Sequence, residues 1–191
     1  MQTEIEEEGK IKGEMLVSIY DTTSKQANAL EQEIIVHING IRLSNYREKY
    51  LSLVKQMRDL FLVREYAVTN IIVIAGRSVV AQRLANDTTY TGIINYGALG
   101  SSATTPVDGN TQLGTEVFRK VVASVSDTTN QAFIDFFYSK ADTSGTYQEF
   151  GTFIDGTATA NTGQMFTHAL TGGWIKSSSE SMTVSCTYTI T

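Results

Sequence analysis

The feature that most constrains the fold is the strict alternation of apolar and polar residues near the end of the chain. Across residues 182–190, Met182, Val184, Cys186, Tyr188 and Ile190 alternate with threonine and serine. Successive strand residues point to opposite faces, so this pattern predicts a strand with one face in the core and the other towards solvent or a partner.

Similar short segments recur from Tyr90 onward, and turn residues separate them at a spacing of roughly ten residues. They lie at residues 93–99, 116–126, 132–139, 147–154 and 165–170. Short strands at this spacing predict a mainly β protein, an antiparallel β-sandwich over residues 90–191.

The preceding part of the chain adds both strands and helices. Residues 15–23 and 31–39 are predicted to be strands that form a hairpin, and residues 68–75 to be a buried strand. The list of apolar residues spaced by three and four is Tyr46, Tyr50, Leu53, Val54, Met57, Leu60 and Phe61. This stripe predicts one amphipathic helix of about five turns over residues 45–64, and residues 78–85 are predicted to be a short helix.

Three regions follow from this pattern: an acidic N-terminal arm at 1–14, strands plus helices at 15–89 that pack on or extend the sandwich, and the sandwich domain at 90–191. The apolar stripe must be buried either against the chain's own sheet or against a neighbouring subunit.

Charge and composition exclude several classes of function. The net charge is −5, and residues 86–191 hold only 4 Lys and Arg against 9 Asp and Glu. Binding to nucleic acid depends on basic residues that neutralise phosphates, so no nucleic-acid partner is predicted. No apolar run approaches the roughly 18 residues of a membrane helix, so no membrane insertion is predicted. The single cysteine, Cys186, excludes an internal disulfide and predicts a buried small side chain.

A long segment at residues 97–120 carries glycines and the only proline, Pro106, just before a predicted strand. A phosphate-binding loop needs a lysine after its second glycine and a following helix, and both are missing here. The segment is therefore predicted to be a surface loop with turns at Pro106 and at Asp108–Gly109. A loop of this length without secondary structure is uncommon unless it has a role. We expect it to contact a neighbouring subunit.

No catalytic, cofactor-binding or metal-binding set is predicted. His37 and His168 each lie in a strand-like segment and are interpreted as exposed or hydrogen-bonded strand residues. Asp135 and Glu149 lie in strands predicted to be adjacent, and a hydrolase that uses this pair is one minor alternative.

Several segments resemble, in their order, a group of small tailed-bacteriophage virion proteins that are usually labelled minor structural or tail proteins. The segments are Gly97 to Gly100, Pro106, residues 111–117 and residues 149–153, and the similarity covers about residues 68–191. The helix at 45–64 departs from the usual form. The resemblance implies a non-enzymatic building block present in many copies in the virion and assembled in the host cytoplasm. Its implied partners are identical subunits and other virion proteins.

We therefore expect a virion structural protein attached to the tail, neck or capsid surface. A capsid decoration protein is one alternative. Another is a fibre module that binds a host-surface glycan through exposed Trp174 and Tyr147. The candidate interface residues are Tyr46, Tyr50, Val54, Met57, Phe61, Thr105, Pro106 and Asp108.

Overall fold

A single curled antiparallel sheet of nine strands forms the body of the protein over residues 11–40 and 45–191, which are the residues that this computed structural model describes. The strands are β1 (Ile11–Asp21), β2 (Leu62–Ile72), β3 (Ile94–Gly100), β4 (Glu116–Val121), β5 (Ser124–Asp127), β6 (Gln131–Tyr138), β7 (Gly145–Ile154), β8 (Gln164–Lys176) and β9 (Glu180–Ile190). The helices are α1 (Lys25–Asn39), α2 (Tyr46–Phe61) and α3 (Ile74–Leu84). None of these three helices is long and apolar enough to span a membrane.

The sheet curls into a half-barrel with the strand order β4-β3-β7-β8-β2-β1-β9-β6-β5. Its two edge strands, β4 and β5, are consecutive in the chain, and only Val122 and Ala123 separate them. The Val122 amide donates to the Asn95 carbonyl in β3 at 3.0 Å, and the Ala123 amide donates to the Asp135 carbonyl in β6 at 2.7 Å. This short link therefore brings the two edges of the sheet together.

The interior of the half-barrel holds the main core. Phe136 and Tyr138 in β6 face β3 across it, and the Tyr138 hydroxyl donates to the Gly97 carbonyl at 3.0 Å. A Cβ at Gly97 would lie 2.8 Å from the Phe136 ring, so only glycine fits at this position. The predicted alternation of the last strand is confirmed for Met182, Val184, Cys186 and Tyr188, which are all buried in this core, whereas Ile190, predicted on the same face, is 61% exposed.

Helices α1 and α2 form an outer layer on one part of the sheet. Their second core cluster consists of Tyr20, Ile34, Tyr50, Leu53, Met57, Ala123 and Phe137. Ser24 caps α1, since its hydroxyl accepts a hydrogen bond from the Ala27 amide at 3.0 Å. The predicted amphipathic helix is present as α2, but it ends at Phe61 and not at residue 64, and the side chain of its N-cap residue, Asn45, makes no capping hydrogen bond.

Several details of the prediction are wrong. Residues 31–39 form the second half of α1 rather than a strand, so the predicted hairpin does not exist. The strand predicted at 68–75 ends at Ile72, and α3 already begins at Ile74. The strand predicted at 116–126 is split into β4 and β5. A two-sheet sandwich is not confirmed, since the nine strands belong to one sheet.

The three predicted regions are closely interleaved. Strands β1 and β2, from the first half of the chain, lie between β8 and β9 in the middle of the sheet. Of the predicted N-terminal arm, residues 11–14 belong to β1, and residues 1–10 lie outside the described part of the chain.

Candidate interaction surface

The predicted interface residues on α2 lie inside the protein. Tyr50 and Met57 have no exposed surface, Tyr46 is 8% exposed, and Val54 and Phe61 are partly buried against the same cluster. Of the two alternatives for the apolar stripe, burial against the chain's own sheet and helices is therefore the one observed.

The long loop of residues 101–115 lies over the outer face of β3, β7 and β8. Its one buried apolar side chain is Leu113, in a cluster with Val73, Ala98, Phe153 and Met165. The Ser101 amide donates to the Thr115 carbonyl at 2.9 Å, which joins the two ends of the loop. Although it has no regular secondary structure, this segment is thus packed against the sheet.

Glu149 in β7 is the main attachment point of this loop. Its carboxylate is completely buried and accepts three backbone hydrogen bonds, from Ser102 at 3.2 Å, Gly114 at 2.9 Å and Thr115 at 2.8 Å. An isolated carboxylate in this environment would be very unfavourable, but one that accepts several N–H groups is compensated. One buried side chain therefore holds both ends of the loop.

His168 in β8 extends the same network to the middle of the loop. Its Nε2 lies 3.0 Å from Glu149 Oε2, and its Nδ1 lies 2.9 Å from the side-chain oxygen of Asn110. That oxygen also accepts the Val107 amide at 2.8 Å. Burial lowers the pKa of His168, and the bond to Glu149 opposes this shift. A neutral ring has a single N–H, so it donates to only one of its two oxygen neighbours at a time.

The close approach of Glu149 explains a glycine of the loop. A Cβ added at Gly100 would overlap the Glu149 side chain and lie 2.7 Å from the Thr115 carbonyl oxygen. Two of the segments on which the phage resemblance depends, Gly97 to Gly100 and residues 149–153, therefore meet in this one contact.

A second loop, residues 155–163, continues the surface. Arg119 is almost fully buried and forms a two-pronged pair with Glu116, with nitrogen–oxygen distances of 2.6 and 2.8 Å. Its remaining nitrogen donates to the carbonyls of Thr157 at 2.9 Å and Thr162 at 3.1 Å. Hydrogen bonds to these carbonyls fix the second loop in the same way that Glu149 fixes the first. We call the exposed parts of the two loops, residues 103–109 and 157–161, the latched surface.

The three predicted interface residues of the first loop lie in the latched surface. Thr105 and Asp108 are exposed, and Pro106 is half-buried. The Asp108 carboxylate pairs with Arg77 at 2.9 Å, and its carbonyl accepts the Ile74 amide at 2.8 Å, so α3 supports the tip of the loop.

Two of the predicted alternatives, the hydrolase and the glycan-binding fibre module, lose the residues on which they depend. Asp135 and Glu149 lie in β6 and β7, which are separated by four other strands in the sheet, so they do not form an adjacent pair. Trp174 and Tyr147 are 0% and 1% exposed, and neither can act as an exposed aromatic platform for a sugar.

Burial raises the pKa of Cys186 to about 12, which keeps the thiol protonated at neutral pH.

Both histidine rings are hydrogen-bonded within the fold. His168 is a hydrogen-bonded strand residue, as predicted, whereas His37 lies on α1, where its ring stacks on Tyr46 and its Nε2 lies 2.7 Å from the Tyr46 carbonyl oxygen. Within residues 11–40 and 45–191, no group of three His, Cys, Asp or Glu residues is arranged to hold a metal ion.

No family model, curated protein or solved structure matches this chain.

The sequence did not predict that Glu149 and Asn110 attach the long loop to the sheet. The available signal was a charged residue, Glu149, inside a predicted strand and directly before Phe150.

Proposed function

We propose that this protein is a non-enzymatic structural component of a bacteriophage virion, present in many copies and attached to the tail, neck or capsid surface by protein–protein packing. The observation that carries the proposal is the latched surface, whose longer loop has no regular secondary structure and is hydrogen-bonded at both ends to the buried Glu149. The order of motifs that resembles phage virion proteins supports it, since two of these motifs build the Glu149–Gly100 contact.

The latched surface is better suited to contact with another protein than to catalysis. A loop that is already ordered loses little conformational entropy when a partner binds, which favours a specific complex. The exposed groups of the latched surface are mostly threonine and alanine, with the apolar Val107 exposed by 56%. Such a surface can be covered without burying many unpaired charges.

The direct test is mass spectrometry of purified virions of the phage that encodes the chain, followed by its location in an electron-microscopy map. A virion that lacks the protein would refute the proposal. Copy number then separates the two placements: dozens of copies indicate the tail or neck, and hundreds indicate a capsid decoration protein.

The role of the latched surface has its own test. We expect Thr105→Lys to leave folding intact and to reduce incorporation into virions, because a partner would have to cover the new charge. The control is Thr129→Lys, at an exposed position in the turn between β5 and β6. If both variants are incorporated as well as the original chain, the latched surface is not the attachment site.

A further inference from the structure

Three side chains meet where the turn after β6 contacts α1. The amine of Lys140 donates a hydrogen bond to the side-chain oxygen of Asn28, and it lies 3.6 Å from Glu31 Oε2. Asn28 and Glu31 are three residues apart on α1 and so lie on the same face of the helix. A primary amine, a carboxamide and a carboxyl group are thus gathered at one point.

The environment of Glu31 is unusual for a structural ion pair. Its side chain has no exposed surface, whereas that of Lys140 is 33% exposed. Glu31 Oε1 accepts the backbone amide of Lys140 at 2.6 Å, but Oε2 has no hydrogen-bond partner among the described residues. A buried carboxylate oxygen without a donor is costly, and a proton transferred to this oxygen removes that cost.

We propose that Lys140 and Asn28 become joined by an intramolecular isopeptide bond, with Glu31 as the catalytic carboxyl group. The amine is already hydrogen-bonded to the amide oxygen, and the amide carbon is only about 1.23 Å from that oxygen. A small movement of the lysine side chain therefore brings the nucleophile onto the carbon, as proximity catalysis requires.

The chemistry needs no reagent from outside the protein. Glu31 Oε2 takes a proton from the Lys140 ammonium, and the free amine attacks Cγ of Asn28 to give a tetrahedral intermediate. Glu31 passes this proton to Nδ2, takes a second proton from Nζ of the intermediate and passes it on in turn; the Cγ–Nδ2 bond breaks, and Nδ2 leaves with both protons as ammonium. The products are one new Nζ–Cγ amide bond, one ammonium ion and the Glu31 carboxylate in its starting state.

Among residues 11–40 and 45–191, Lys140 is the one lysine whose amine is hydrogen-bonded to a side-chain amide. Lys49 on α2 forms an ion pair with Glu33 on α1, but these side chains are 48% and 51% exposed and the Lys49 amine donates to a carboxylate and not to a carboxamide. Lys176 is buried and donates to the Thr143 carbonyl at 2.6 Å, again without a side-chain amide as an electrophile. Lys49→Arg is therefore a matched control for a change at Lys140.

The first measurement is the intact mass of the purified full-length chain. We expect a mass lower than that of the sequence by one ammonia molecule. This deficit should disappear in Lys140→Arg and persist in Lys49→Arg. In Glu31→Gln the bond should form at least about 100-fold more slowly, the lower limit of general acid–base catalysis. Circular dichroism of each variant confirms that it is folded before its mass is interpreted.

The second measurement locates the bond, because cyclisation of an asparagine or of a terminal glutamine also removes ammonia. After digestion with trypsin, the cross-link predicts a branched peptide that joins residues 26–42 to residues 121–176, with no cleavage at Lys140. A folded wild-type chain at full mass, a mass deficit that survives Lys140→Arg, or the absence of the branched peptide would each overturn the proposal.

Discussion

The buried carboxylate of Glu149 allows the most direct test of how the latched surface is held. In Glu149→Gln, an amide nitrogen replaces one carboxylate oxygen with almost no change in volume. If the amide oxygen takes the place of Oε1, it still accepts the amides of Ser102 and Thr115, while the new NH2 group faces the Gly114 amide, which is also a donor. His168 can adapt, because a neutral ring can accept as well as donate.

The expected cost follows from this geometry. One backbone N–H loses its acceptor, and the hydrogen bonds that remain are no longer made to a charged group. Leaving a buried donor unpaired costs about 1–3 kcal/mol, and bonds to charged groups are stronger than neutral ones. We therefore expect the loop to detach from the sheet more easily by about 2–4 kcal/mol, with little change in the core.

Hydrogen exchange resolves this local effect. The amides of Ser102, Gly114 and Thr115 should exchange about 30- to 1,000-fold faster in Glu149→Gln, because each 1.4 kcal/mol is a tenfold change in an equilibrium constant. Amides in β9 should exchange as before. Urea unfolding followed by the emission of Trp174, which is completely buried, reports the stability of the whole domain.

Glu33→Gln is the matched control, since it removes the same charge from an exposed pair, and such pairs contribute at most about 1 kcal/mol. If exchange at the three loop amides is the same in Glu149→Gln as in the original chain, the reasoning that Glu149 holds the loop is refuted.

Three further predictions concern other parts of the protein. Burial lowers the pKa of His168 from its usual 6.5. The neutral ring therefore stabilises the fold above that pH, and this stabilisation is lost as the pH falls through the lower pKa of the folded state. The difference between the urea midpoints at pH 7.5 and 5.5 should be smaller in His168→Gln than in the original chain. Burial lowers the pKa of Lys176 from 10.5 to about 8, so the free energy of unfolding should rise between pH 8 and 10.5. Thermal melting should show no such rise in Lys176→Met. The same variant should melt at a higher temperature than the original chain at neutral pH. Met57→Asp should prevent folding, because it buries an unpaired charge, whereas Leu60→Asp, at a side chain that is 58% exposed, should change stability by less than about 0.5 kcal/mol in urea unfolding.

The spacing of apolar residues along the sequence predicted those strands and helices that bury one face. The alternation of the last strand and the stripe of α2 each reflect one buried face. The run Ile34–Ile35–Val36 was misleading, because three β-branched residues in succession favour a strand, yet Ile34 is buried under α2 as part of a helix. Tertiary packing against α2 outweighed this local preference.

Long-range order could not be predicted from the same patterns. Strands β6 and β7 are consecutive in the chain but are separated by four other strands in the sheet, so the prediction that Asp135 and Glu149 lie in adjacent strands was wrong. Trp174 follows two glycines and was expected to be exposed in the glycan-binding alternative. Both glycines have positive φ angles, 72° and 96°, and they bend β8 without ending it, so Trp174 enters the core.

The proposed attachment role makes a prediction about a residue that never reaches the surface. Ordering a loop as long as 101–115 costs far more conformational entropy than the burial of Leu113 alone can offset, so the hydrogen bonds to Glu149 are needed to keep the loop in place. If attachment depends on a pre-ordered latched surface, Glu149→Gln should reduce incorporation into virions as Thr105→Lys does, although it changes no exposed atom. Hydrogen exchange shows whether the loop is detached in Glu149→Gln. If such a chain is incorporated into virions normally, attachment does not depend on the ordered loop.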